Sequence, residues 1–97
     1  MALFVISCID KPDSLALRMA TREAHFAYLR GRPPGAELRL GGPYLDAKGD
    51  MAGSLMVVEA EDQAAAEAFS AGDPYRLAGL FERVEIRPWR VTVGALP

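Results

Sequence analysis

Four side chains hold most of the acid–base chemistry open to this chain: His25, Arg18, Arg22 and Asp73. His25 is the only histidine among 97 residues. At about 100° per residue on a helix, Arg18, Arg22 and His25 fall on one strip. Leu15, Met19, Phe26 and Leu29 flank the strip on one side, and Leu17, Ala24 and Tyr28 on the other. Ala16, Glu23, Ala27 and Arg30 lie opposite, toward solvent. Three basic groups thus interrupt what should be the buried face, and buried charge needs a partner. One reading is a small electropositive cleft that attracts a carboxylate or phenolate. The plainer reading is a core histidine satisfied by a backbone carbonyl, beside two arginines whose stems cover the core while their heads reach water. Asp73 stands in Gly72-Asp73-Pro74-Tyr75. Asp before Pro is a ready helix N-cap. A carboxylate on one ring nitrogen of His25 would instead fix the tautomer and leave the other nitrogen as a general base. Sequence separation alone does not decide between these roles.

The elements that must position these groups run strand, helix, strand, strand, helix, strand. Leu3–Ile9 is a continuous apolar run and reads as a central strand covered on both faces. Asp10-Lys11-Pro12-Asp13 breaks it, and Asp13 or Ser14 can cap a helix running to about Arg30. Gly31 and Pro33-Pro34-Gly35 stop that helix. Glu37–Leu40 alternates as a half-exposed strand that Gly41-Gly42-Pro43 ends. Asp46–Gly53 reads as a mobile hairpin loop and Ser54–Ala60 as the third strand. Asp62 can cap an alanine-rich helix over Gln63–Phe69, closed by Gly72, with a short turn opening at Asp73-Pro74. Phe81–Val93 is the last strand, with a bulge or a sheet-edge position expected at Pro88. A βαββαβ order predicts a single α+β domain over residues 1–97, a four-stranded antiparallel sheet with both helices on one face. The other sheet face, rich in Val, Ile, Leu, Met and Trp, then lacks cover, and dimerisation through the sheet is the simplest remedy.

Bulk composition narrows the classes. The net charge is −2 and 51% of residues are hydrophobic, enough for one core. The acidic balance, and strands without paired aromatics, argue against a nucleic-acid partner. No run approaches the ~20 apolar residues of a membrane span. Ala2–Ile9 lacks the flanks of a signal peptide, so a cytoplasmic location is the expectation. Cys8 is the only cysteine and reads as a buried strand thiol. One histidine among scattered carboxylates provides no metal-ligand spacing, so neither metal nor other cofactor is expected.

An ordered set of short segments resembles the YCII-related family over nearly the whole length. It comprises Phe4-Val5-Ile6, Arg22-Glu23-Ala24-His25-Phe26-Ala27-Tyr28-Leu29, Gly41-Gly42-Pro43, Gly53-Ser54, Ala64–Phe69, Asp73-Pro74-Tyr75 and Val84–Trp89. The resemblance implies a ferredoxin-like fold that dimerises through its sheet, like muconolactone isomerase. It also implies a pocket around a histidine–aspartate pair, carried here by His25 and Asp73. The family often has a polar residue where Arg22 stands, and some relatives resemble dehydrochlorinases of chlorinated aromatics. The proline-rich link Arg32-Pro33-Pro34-Gly35-Ala36 departs from the pattern and would reshape the pocket rim.

Two functions follow. The first is a cofactor-free lyase or isomerase acting on a small anionic carbonyl or lactone. His25 is the base, Asp73 its orienter, Arg18 or Arg22 the anion contact, and Tyr44 and Ser54 polar lining. On this reading His25→Ala abolishes turnover and leaves the melting temperature nearly unchanged. The second is a non-catalytic dimer that binds a small molecule or a partner in the same pocket.

Overall fold

The computed structural model describes residues 1–31 and 35–97. The proline-rich stretch expected at the pocket rim, Arg32 to Pro34, lies outside the described residues. The elements are β1 (Ala2–Asp10), α1 (Leu15–Arg30), β2 (Ala36–Leu45), β3 (Met51–Ala60), α2 (Gln63–Ala71), α3 (Pro74–Leu77) and β4 (Phe81–Trp89). The strands form one antiparallel sheet in the order β2-β3-β1-β4. This is the ferredoxin-like α+β arrangement, with the helices on one face.

Strand β1 is central because its apolar run has two neighbours to pair with. Its alternation decides the faces: Phe4, Ile6 and Cys8 are buried beneath the helices, while Leu3, Val5 and Ser7 are only half covered. A single chain therefore covers one face of β1, not both. Met56 and Val58 of β3 and Ala66 and Phe69 of α2 complete the core.

Several boundaries differ from those read along the chain. β2 does not stop at Leu40 but continues through Gly41-Gly42-Pro43 to Leu45. Pro43 is tolerated there because β2 is an edge strand, where a missing N–H breaks no ladder bond. The hairpin loop shrinks to a tight turn, in which Asp46 Oδ1 accepts from the backbone N–H of Lys48 at 2.9 Å and of Asp50 at 3.0 Å. Gly53 belongs to β3, where a Cβ would run into the Cys8 carbonyl and stand 2.9 Å from Tyr44 Cδ2. β4 ends at Trp89 rather than Val93, and Pro88 sits on this second edge strand in unbroken register with Phe4. The register shift falls at the other end, between Ile9 and Asp10. Asp62 caps α2 as expected, accepting from Ala65 N–H at 2.8 Å. At α1 neither expected cap forms: Ser14 Oγ donates to the Pro12 carbonyl at 3.3 Å, and Asp13 adopts φ 57°.

No helix among the described residues is long and apolar enough to cross a membrane.

Cys8 is fully buried, and burial, reinforced by the Asp73 charge, pushes its thiol up to about 12. In the unfolded chain a thiol ionises near pH 8.5. Between these values the unfolded state binds fewer protons than the fold, so stability falls as pH rises. The contribution is complete below the unfolded value and is lost as pH climbs toward the folded one, at up to about 1.4 kcal/mol per pH unit. Urea midpoints at about pH 8 and about pH 10.5 are expected to diverge in wild type and to diverge less in Cys8→Ala. Equal divergence in both proteins would remove the thiol as the cause.

Candidate functional site

The helix α1 presents its polar strip inward. Arg18 and His25 are its buried residues, whereas Leu15, Leu17, Met19 and Phe26 remain exposed, Met19 at 47%. The apolar stripes predicted to face the core therefore do not, apart from Tyr28 and Leu29, which pack against it. The physical reason is that each inward polar group meets a partner on another element, so burial leaves little unsatisfied.

His25 Nδ1 lies 2.7 Å from Asp73 Oδ1. A carboxylate only accepts, so Nδ1 carries the proton and Nε2 is the lone-pair nitrogen of the neutral ring. Asp73 Oδ1 also accepts from Tyr75 N–H at 3.0 Å, at the start of α3. The capping role and the histidine contact are thus not alternatives, since one oxygen makes both. Gly72 is required beside it, because a Cβ there would stand 2.6 Å from the Tyr28 hydroxyl, which donates to the Phe69 carbonyl.

Among the described residues, Asp73 Oδ2 is the one buried side-chain polar atom without a hydrogen-bond partner. His25 Nε2 is without a hydrogen-bond partner among the described residues, and His25 lines an opening beside it. The opening is a cavity of about 340 Å³ between α1, α3 and the sheet. Its polar lining includes Arg22, His25, Ser54 and Tyr75, and its apolar lining includes Leu38 and Met56. That size is near the lower end of the roughly 300–1,000 Å³ typical of small-molecule sites.

Arg18 does not snorkel; it lines the cavity with its charge paired inside the fold. Its Nε and Nη2 grip Asp10 at 2.8 and 3.1 Å, and Nη2 also donates to Ser54 Oγ at 2.8 Å. The ionised Asp10 beside it strengthens the guanidinium's hold on its proton against the opposing effect of burial. Ser54 stands in the cavity wall, with its hydroxyl taken up by Arg18. Arg22 is exposed at the mouth, its guanidinium carbon 5.0 Å from the Phe26 ring centre. Tyr44 must be moved. It pairs with Gly53, which pairs with Ile9, on the sheet face away from the helices. There its hydroxyl meets Ser7 Oγ at 2.8 Å, so Tyr44 does not line the cavity.

Two residues of the site escaped the reading along the chain. Asp10 reads along the chain as part of a strand-breaking stretch, yet it continues the alternation of Phe4, Ile6 and Cys8 onto the helix-covered face. Tyr75 carries no chemical signal in the sequence, yet it packs against His25 with ring centres 3.9 Å apart and planes 17° apart.

The antiparallel sheet with its helices on one face, and a buried imidazole held by a carboxylate beside a cavity between them, define a ferredoxin-like domain. The chain belongs to the YCII-related family, whose domain matches residues 2–90. Protein YciI of Escherichia coli is 36% identical over 94 residues, which cover 91% of this chain and 96% of that protein. The 5-chloro-2-hydroxyhydroquinone dehydrochlorinase TftG of Burkholderia phenoliruptrix, solved with 2,5-dihydroxybenzoquinone, superposes with a TM-score of 0.81 at 35% identity. That match covers 91% of this chain and 93% of TftG. A dimeric ferredoxin-like protein from a Jannaschia species matches at a TM-score of 0.50 and 18% identity, covering 94% of this chain and 100% of its own, a likeness of fold alone.

Proposed function

We propose that this protein is a cofactor-independent acid–base enzyme, a lyase of the dehydrochlorinase type, acting on a small anionic ring or lactone. The observation that carries this reading is the His25 Nδ1–Asp73 Oδ1 contact of 2.7 Å combined with an Nε2 that opens to the cavity. Nε2 takes a proton from an acidic C–H or O–H of the substrate, and Asp73 stabilises the imidazolium that forms. The imidazolium returns that proton to the chlorine-bearing ring carbon, giving the keto tautomer, and loss of a second hydroxyl proton to Nε2 then drives chloride out with its bonding pair, leaving the quinone. Only the elements of HCl are lost, so no oxidant is needed. Arg22 at the mouth provides the anion attraction, because Arg18 is already paired with Asp10. The similarity to TftG supports a hydroxylated chloroarene as the substrate class.

The test is chloride release from 5-chloro-2-hydroxyhydroquinone by purified protein, beside a thermal-shift screen of small organic acids and lactones. Chloride released in proportion to enzyme supports the reading. Stabilising ligands recovered unchanged, with no turnover of any of them, would replace it with that of a binding module.

We further infer that the working unit is a homodimer joined through the open sheet face. Register places Val5, Leu55 and Leu40 on that face, with Trp89 on β4. Leu40 is 41% and Trp89 44% exposed in the single chain. A contiguous apolar face of this kind is seldom left in water. Sedimentation is expected to show twice the chain mass and, for Leu40→Lys, a monomer; a monomeric wild type would overturn the inference.

A further inference from the structure

We propose that the Tyr75 hydroxyl is a catalytic hydrogen-bond donor, gripping the substrate oxygen on which negative charge collects as His25 takes its proton. This rests on the acid–base reading of the cavity.

The ring of Tyr75 is held from several sides. It stacks on His25 at 3.9 Å, and the Arg18 guanidinium carbon lies 4.6 Å from its centre. Arg18 and His25 are two turns apart on α1, about 10 Å along the axis, which leaves a slot one ring wide between them. Phe81 closes a further side in an edge-on contact at 6.1 Å and 76°. The backbone is held as well, since Tyr75 N–H donates to the same Asp73 oxygen that holds His25. One carboxylate therefore sets the position of both the base and the tyrosine.

The hydroxyl's own proton is uncommitted. Tyr75 is only 2% exposed, and a buried phenol ordinarily finds a partner. Here the Arg18 guanidinium interacts with the hydroxyl, but a guanidinium only donates, so it engages the phenol oxygen and leaves the O–H free to donate. Tyr75 lines the cavity beside His25. If the ring served only to fill the core, phenylalanine would do the same work.

The protonation state fits a donor. Burial pushes the Tyr75 phenol above its ordinary value and outweighs Arg18 and Arg22, which pull it down. The group keeps its proton at neutral pH and has it to offer to an oxyanion. In the reaction, a substrate C–H or O–H proton passes to His25 Nε2. The electron pair left behind is carried on the substrate oxygen, which Tyr75 O–H then holds. The imidazolium passes its proton to the chlorine-bearing ring carbon, and as a second hydroxyl proton moves to Nε2 its electron pair flows through the ring and expels chloride. A donor aimed at developing charge acts mainly in the transition state.

The experiment compares wild type with Tyr75→Phe, which keeps the ring and both stacking contacts. Chloride release from 5-chloro-2-hydroxyhydroquinone is expected to lose about 100-fold in kcat with little change in KM. Binding of 2,5-dihydroxybenzoquinone by calorimetry is expected to weaken by roughly tenfold or more. The melting temperature should change little, because the ring and its stacking contacts are kept and Arg18 retains Asp10 and Ser54. Wild type that binds the quinone more tightly than Tyr75→Phe but releases no chloride retains Tyr75 as the oxyanion donor and removes the reaction. Wild type that releases chloride no faster than Tyr75→Phe removes Tyr75 and retains the reaction. A kcat loss matched by a fall in melting temperature assigns Tyr75 a packing role and overturns the proposal, as does a wild type that neither binds nor turns over.

Discussion

Asp10→Ala is expected to lower folding stability by about 3–5 kcal/mol, the range seen when one partner of a buried ion pair is removed. Asp10 and Arg18 are 9% and 3% exposed and are joined through two hydrogen bonds. Without the carboxylate, the guanidinium retains neutral partners, the Ser54 hydroxyl and Tyr75. Domains of ordinary size are stable by only about 5–15 kcal/mol, so such a loss brings this one close to unfolding. The measurement is the urea midpoint at unchanged slope. A loss below about 1 kcal/mol would mean that Arg18 escapes to water, as long exposed cations do. The double variant Asp10→Leu with Arg18→Met is expected to recover most of the loss, because it leaves no charge to desolvate. It also separates stability from catalysis, since on the present reading Arg18 supports the Tyr75 ring rather than binding the substrate.

The second large effect concerns the base. His25→Gln is expected to cut turnover by about two to four orders of magnitude, the usual contribution of general acid–base catalysis. Asp73→Asn is expected to fall by a comparable factor, because the imidazolium loses its counter-charge and the tautomer is no longer enforced. Glutamine is preferred to alanine for a structural reason. His25→Ala leaves Asp73, 1% exposed, with only the Tyr75 N–H on Oδ1 and nothing on Oδ2. The stranded carboxylate costs about 1–3 kcal/mol or more. The unchanged melting temperature expected for His25→Ala from the sequence is therefore revised to a clear fall. Rates compared at equal folded fraction decide the matter. A folded His25→Gln protein within tenfold of wild type would remove His25 as the base.

The two chemically important surprises have a common origin. Arg18 and Tyr44 were assigned to the ligand by residue type, yet one is committed to Asp10 and the other lies on the far side of the sheet. Residue type states what a group can do, but partners decide what it is left to do. Asp10 was hidden because a strand-ending aspartate beside proline reads as a turn. Only the continued alternation hinted that it faces inward, and alternation says nothing of Arg18 waiting eight residues on.

Local chemistry carried the βαββαβ order, the Asp62 cap, the Asp73-Pro74 turn and the inward strip of α1, because each depends on neighbours within a turn or two of chain. That strip already singled out His25. Its meaning came from tertiary structure alone. Contact over 48 residues brings Asp73 onto Nδ1, α3 lays Tyr75 against the ring, and the exposed leucines of α1 show that paired polar groups, not apolar ones, hold this helix down. Long-range pairing is invisible to periodicity, since it depends on how the sheet and helices close on one another. The same closure places His25 and Tyr75 side by side in the cavity wall.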